Sequence, residues 1–124
     1  MQTIVLIDDS ATQLLNAKFI LRNAGYNVET VADAEQALER IVAVRPDLIV
    51  TDLNMPKLDG ISLVREIRQL AAFSRTPILI MSTDAMKFRY DEARTAGANG
   101  WLVKPVKAAA LLEALRKLLP RETT

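Results

Sequence analysis

Short apolar runs alternate with longer amphipathic ones along this chain, the order that builds repeated strand-helix units around a parallel sheet. Five runs predict strands: TIVLI at 3–7, NVETV at 27–31, LIVT at 48–51, PILIMS at 77–82 and GWLV at 100–103. TIVLI, LIVT and PILIM are apolar throughout, as strands covered on both faces are, whereas Glu29 in NVETV suits an edge. The second strand is therefore expected on the outside.

Five segments between and after them predict helices. Ser10 is placed to cap the first, Ala17, Ile20, Leu21 and Ala24 recur on one face, and Gly25 supplies a left-handed exit. The second helix runs from about Ala34 to Val44, with Asp33 as its cap and Pro46 beyond its end. The third follows Asp59-Gly60 and carries Leu63, Val64 and Ile67, and the fourth follows Asp84 and ends at Gly97. The fifth runs from about Lys107 to Leu119, where Pro120 stops it. Together these predict an α/β fold, a doubly wound five-stranded parallel sheet in the order 2-1-3-4-5 with flavodoxin-like (βα)5 topology. One domain is expected over residues 1–120, with a frayed tail at 121–124.

Composition narrows the function. At 124 residues and 50% hydrophobic content the chain has room for one core. Its 16 Lys and Arg against 15 acids give a net charge of +1, so no overall field favours nucleic acid or an anionic membrane. The opening MQTIVLIDD has no basic leader, and its apolar stretch is too short for a signal core or a membrane span, so a cytoplasmic protein is expected. Cysteine and histidine are both absent, which excludes thiol nucleophiles, Ser-His-Asp triads and imidazole proton shuttles. Chemistry is left to carboxylates, hydroxyls and amines.

In an open parallel sheet, ligands bind beyond the carboxyl ends of the strands. Asp8 and Asp9 leave the first strand there, Asp52 the third, Ser82 and Thr83 the fourth, and Lys104 the fifth. The expected order sets the first and third strands side by side, so three carboxylates converge. Two like charges about 4 Å apart repel by roughly 4 kcal/mol at an effective dielectric of about 20, so the cluster calls for cations. Lys104 supplies one positive charge. A few carboxylates, several waters and a phosphoryl oxygen make a shell suited to Mg²⁺. In such a site an Asp can attack phosphorus and form an acyl phosphate, while metal, ammonium and a hydroxyl neutralise the oxygens in transit.

The set Asp8-Asp9, Asp52 with Met55-Pro56 and Asp59-Gly60, Ser82, and Lys104-Pro105 resembles the receiver domain of bacterial response regulators over nearly the whole chain. The resemblance implies that Asp52 is the phosphoacceptor for a partner's phosphohistidine. It implies a Mg²⁺ site of Asp8, Asp9, Asp52 and the backbone carbonyl of Asn54. Ser82 then corresponds to the hydroxyl that moves to bind the phosphoryl group, and Lys104 to the site amine, with a cis bond to Pro105. Trp101 stands where the family often has a ring that rotates between exposed and buried positions; plain packing in a short strand is the other reading. Tyr90, Lys87 and Lys107 share with it the face that the family uses for output. Asn54, Thr83 and Asp84 are expected to set the phosphoryl lifetime, and Thr83 departs from the family's usual Ala or Gly. Blander roles also fit Asp9 and Ser10, as helix caps, and Ser82, as a strand-end hydroxyl.

The implied function is a stand-alone response regulator of a two-component phosphorelay. A histidine kinase or histidine phosphotransfer protein phosphorylates it, and its affinity for a protein target then changes. It is no enzyme beyond catalysing its own phosphorylation and dephosphorylation, and a monomer is expected. The NMP loop and the stretch GANGWLVKP look most like chemotaxis members, whose target is the flagellar motor switch. The alternatives are a relay intermediate that passes the phosphoryl group on, or a pseudo-receiver that only binds proteins. An Asp-nucleophile phosphatase of the haloacid-dehalogenase type would want an acid where Asn54 stands. A flavodoxin-like FMN carrier would place phosphate against the acidic loop DDSATQ. Leu15 and Phe19, off the first helix's buried stripe, predict an exposed apolar strip, or else packing on the fifth helix.

Overall fold

Strands β1 (Thr3–Ile7), β2 (Asn27–Val31), β3 (Leu48–Asp52), β4 (Ile78–Ser82) and β5 (Gly100–Val103) form one parallel sheet in the order β2-β1-β3-β4-β5. They alternate with helices α1 (Ala11–Asn23), α2 (Ala37–Val44), α3 (Gly60–Gln69), α4 (Lys87–Ala96) and α5 (Ala108–Leu118). This computed structural model describes residues 1–56, 58–83 and 87–119, apart from the side chains of Lys87 and Phe88. The expectations for Asp84, the Lys87 side chain, Pro120 and the tail at 121–124 lie outside the described residues.

The period of two along each strand divides the apolar side chains between two cores. Val5, Ile7, Ile49, Ile78 and Ile80 face one side and pack with Ile41 of α2, Ile61 and Ile67 of α3, and Ala93 of α4. Ile4, Leu6, Leu48, Val50, Leu79 and Met81 face the other and pack with Leu14 and Leu21 of α1 and Leu111 and Leu115 of α5. Coverage on both faces leaves β3 and β4 buried at every residue, while Glu29 on outer β2 is half-exposed and pairs with Arg40 at 2.7 Å. Each fully buried Leu or Ile contributes on the order of 2 kcal/mol, so the inner strands carry much of the fold's stability.

The helix ends follow the expected punctuation with three corrections. Ser10 Oγ accepts from the Gln13 amide at 3.3 Å, Asp59 caps α3 through Ile61, and Gly25 takes φ +98°. The buried stripe of α1 is Leu14, Ala17 and Leu21, whereas Ile20 is half-buried and Ala24 is an exposed C-cap. Both rows have helical spacing, and it is packing under β2 and α5 that selects the earlier one. Residues 34–36 form a 3-10 turn capped by Asp33 before α2 begins. Arg45, with φ +54°, supplies the left-handed turn that ends α2 before Pro46.

At the amino ends of β4 and β5, Arg68 from the last turn of α3 ties two connections together, the one from α3 to β4 and the one from α4 to β5. Its guanidinium donates to the carbonyls of Phe73 (2.7 Å), Thr76 (2.6 Å) and Gly97 (2.8 Å) and to Asn99 Oδ1 (2.8 Å). Asn99 Oδ1 also accepts from Ile78 N at 2.9 Å, which fixes the start of β4. Gly97 is at φ +121°, and a Cβ there would stand 2.8 Å from the Arg68 side chain. This knot holds the end of the sheet opposite the acids, leaving the carboxyl rim free for chemistry.

Candidate functional site

The rim is assembled by backbone hydrogen bonds that run past the strand ends. Asp8 N donates to Val31 O at 3.1 Å, Leu53 N to Met81 O at 2.9 Å, and Lys104 N to Ser82 O at 2.7 Å. These bonds fix where Asp8, Asp52 and Lys104 leave the sheet, although 96 residues separate the first from the last. Asp52 closes β3 in register with Met81, with only 6% of its surface exposed; Asp8 is buried and Asp9 is exposed.

Carboxylate oxygens of Asp8, Asp9 and Asp52 all lie within 4.8 Å of one another. Lys104 Nζ stands between the two buried acids, 3.1 Å from Asp8 Oδ2 and 3.0 Å from Asp52 Oδ1, and also donates to Gln13 Oε1. Asp8 Oδ1 accepts from Ser10 N at 2.9 Å. Burial pushes the Asp52 carboxyl above its ordinary pKa of 3.8; the Lys104 hydrogen bond opposes the shift, and the charges of Asp8 and Asp9 add to it. Three carboxylates against one ammonium leave two negative charges, which one divalent cation would cancel. The all-oxygen donor set, half-open through Asp9, suits a hard cation that keeps several waters, as Mg²⁺ does.

The loop from Leu53 to Gly60 is closed from behind. Gly60 N donates to Leu53 O at 2.7 Å, and a Cβ on Gly60 would run into the Asp52 carbonyl oxygen and lie 2.9 Å from Leu53 Cα. Only glycine lets α3 start this close to the strand that carries Asp52. Thr51 Oγ1, fully buried, donates to the same Asp52 carbonyl at 3.0 Å.

A family model for the response regulator receiver domain matches residues 4–116. The chain belongs to the response regulator receiver family. The receiver is 36% identical over 119 residues to chemotaxis protein CheY-3 of Vibrio cholerae, which covers 95% of this chain and 92% of that protein. The crystal structure of the V. cholerae chemotaxis protein CheY4 superposes with a TM-score of 0.92 at 36% identity, covering 96% of the receiver and 99% of that chain. The receiver domain of a sensor histidine kinase from Pseudomonas aeruginosa PAO1, solved with a magnesium ion in its active-site cleft, gives a TM-score of 0.86 at 35% identity. It covers 94% of the receiver and 96% of that chain. Members of this family accept a phosphoryl group within two-component signalling and are not conventional enzymes.

The sheet brings Asp8, Asp9, Asp52 and Lys104 of the receiver together as the sequence predicts. Ser82 ends β4, fully buried and bonded through its carbonyl to Lys104, while Thr83 beyond it is exposed. Asn54 is exposed and lines an open cleft with Asp9, Met55 and Pro56. The Lys104-Pro105 bond is cis. Trp101 is half-buried with its ring centroid 6.1 Å from that of Tyr90, tilted by 60°, and the Arg94 guanidinium stands 6.0 Å from the Tyr90 ring. Leu15 (69%) and Phe19 (66%) are exposed, so the apolar strip on α1 is open and not packed on α5. Two residues of the receiver's rim are absent from the sequence reading: Gln13, on Lys104, and Arg89, on Asp59. Neither contact is written in the local sequence: SATQ has the spacing of a helix capping box, which would turn Gln13 towards Ser10 and not towards Lys104. No helix among the described residues is long and apolar enough to cross a membrane.

Proposed function

We propose that this receiver accepts a phosphoryl group on Asp52 from the phosphohistidine of a histidine kinase or phosphotransfer protein. The observation that supports it most is the placement of the Lys104 ammonium 3.0 Å from Asp52 Oδ1, beside two further carboxylates. An Asp52 carboxylate oxygen attacks phosphorus; the phosphorus–nitrogen bond breaks, and its electron pair stays with the imidazole nitrogen. The product at Asp52 is an acyl phosphate. Lys104 orients the carboxylate before attack and donates to a phosphoryl oxygen after it, while the Ser82 hydroxyl serves a second phosphoryl oxygen. Asp8, Asp9, Asp52 and the Asn54 carbonyl would hold Mg²⁺, which supplies Lewis-acid neutralisation of phosphoryl charge when bound. Hydrolysis reverses the modification: water oxygen attacks phosphorus, and the bond to Asp52 breaks to release phosphate. Asn54, Thr83 and Asp84 tune that step.

Phosphorylation shifts a pre-existing equilibrium, and the face carrying Tyr90 and Trp101 changes its affinity for a protein target. Identity of 36% to chemotaxis protein CheY-3 over 95% of the chain favours a chemotaxis role. On this reading the receiver works in the cytoplasm as a monomer, with the flagellar motor switch as its target. The test is incubation with acetyl phosphate and Mg²⁺, followed by intact mass and Trp101 fluorescence. Wild type is expected to gain one phosphoryl group with a change in emission, and Asp52→Asn to lose both signals. An unchanged mass gain in the variant moves the nucleophile elsewhere; no gain in wild type leaves a receiver that only binds proteins. Phosphorylation-dependent binding to a motor-switch protein supports chemotaxis, and onward transfer to a histidine phosphotransfer protein supports a relay.

A further inference from the structure

We infer that Gln13 is a positioning residue for phosphoryl transfer, the neutral hydrogen-bond acceptor that Lys104 exchanges for a phosphoryl oxygen. This rests on Asp52 being the phosphoacceptor. The ammonium has three hydrogens, and the structure gives it three acceptors: Asp8 Oδ2, Asp52 Oδ1 and Gln13 Oε1. With the Lys104 side chain only 10% exposed, no donor is left over for an arriving group. Transfer needs one donor re-aimed, and of the three bonds the one to the neutral amide is the weakest.

The local structure of α1 frees Gln13 for this. In SATQ the serine caps the helix, and the usual counterpart is a glutamine side chain folded back onto the serine N–H. Half of that box forms, since Ser10 Oγ accepts from Gln13 N. The other half does not: the Ser10 N–H is taken by Asp8 Oδ1 at 2.9 Å, and the Gln13 amide crosses instead to an ammonium 91 residues away. The same acid thus holds Lys104 with one oxygen and displaces Gln13 from the cap with the other.

A residue that is surrendered during transfer acts on the resting state. Gln13→Met keeps length and helix propensity but removes the acceptor, leaving a donor already free; phosphorylation by acetyl phosphate with Mg²⁺ is expected to become about 3-fold faster. Gln13→Glu strengthens the bond that has to be given up, and the rate is expected to fall about 10-fold. Thr12→Glu, which adds the same charge at an exposed neighbouring position, is expected to lower it less than 2-fold by the same scale. In the metal-free protein, the ¹H–¹⁵N resonance of the Lys104 ammonium is expected to move in both Gln13 variants and to stay in Thr12→Glu.

A slower rate in both Gln13 variants, an equal fall in Thr12→Glu and Gln13→Glu, or an unmoved Lys104 resonance each overturns the inference. If Asp52→Asn still gains the phosphoryl group, it is the assignment of the acceptor that fails; the resonance is read without any transfer and separates the two failures.

Discussion

Arg89 on α4 grips Asp59, the cap of α3, through both carboxylate oxygens, at 3.1 and 3.2 Å. Its other nitrogen reaches Glu92 at 2.8 Å, and Arg65 of α3 reaches the same Glu92 at 3.5 Å. The chain beyond Ser82 is thereby tied to the loop that leaves Asp52. Arg89→Met is expected to cost about 1 kcal/mol, discounted for the partial exposure of Asp59. The urea midpoint is expected to fall and hydrogen exchange to quicken in α4, while phosphorylation of Asp52 persists.

Gly60→Ala tests the close approach behind Asp52. The added Cβ meets main-chain atoms, the Asp52 carbonyl oxygen and Leu53 Cα, which cannot swing aside as a flexible side chain would. A loss of about 2 kcal/mol in unfolding free energy is expected. Because the displaced strand end carries Asp52, the phosphorylation rate is expected to fall as well, so denaturation and intact-mass kinetics change together.

Lys104→Met removes the cation between two buried carboxylates. Breaking a buried pair from one side costs about 3 kcal/mol. Asp8 is 1% exposed and Asp52 6%, so water relieves little of it. Thermal melts without metal are expected to show the loss, and millimolar Mg²⁺ to restore part of it by binding the folded state alone.

The raised pKa of Asp52 gives metal-free stability a definite slope. The folded carboxyl holds its proton above the ordinary 3.8, so its contribution is fully present below that pH and is lost as pH rises through the folded value. Asp52→Asn is expected to lack this decline and to be more stable than wild type near neutrality in a chelator, at about 4 °C in melting temperature per kcal/mol relieved. Mg²⁺ is expected to reverse the slope in wild type, since the metal needs the deprotonated acid. Urea midpoints and thermal melts from about pH 3 to pH 8 measure all three.

Much of this architecture was legible because coverage on both faces writes β1, β3 and β4 as unbroken apolar runs, and the acids, hydroxyl and amine stand where those runs stop. Asp52 itself belongs to β3, one residue beyond the predicted end, because its strand neighbour Met81 continues the pairing. What escaped depends on tertiary placement. Leu14 and Ala24 are equally good candidates for a buried row until a neighbouring helix chooses. Arg68, Arg89 and Gln13 are long, flexible side chains whose partners lie 29, 30 and 91 residues away, and no local pattern names such a partner. Arg45 in a left-handed turn is likewise set by Pro46 and the start of β3, where glycine would have been the readable choice.

The ladder bonds that continue beyond the strands, from Leu53 to Met81 and from Lys104 to Ser82, have a thermodynamic consequence. Acid, amine and hydroxyl are mounted on a single hydrogen-bonded strip whose spacing is set during folding. At these three positions an arriving ligand therefore has little backbone disorder left to quench, and more of its interaction energy remains for discriminating one charge state of Asp52 from another.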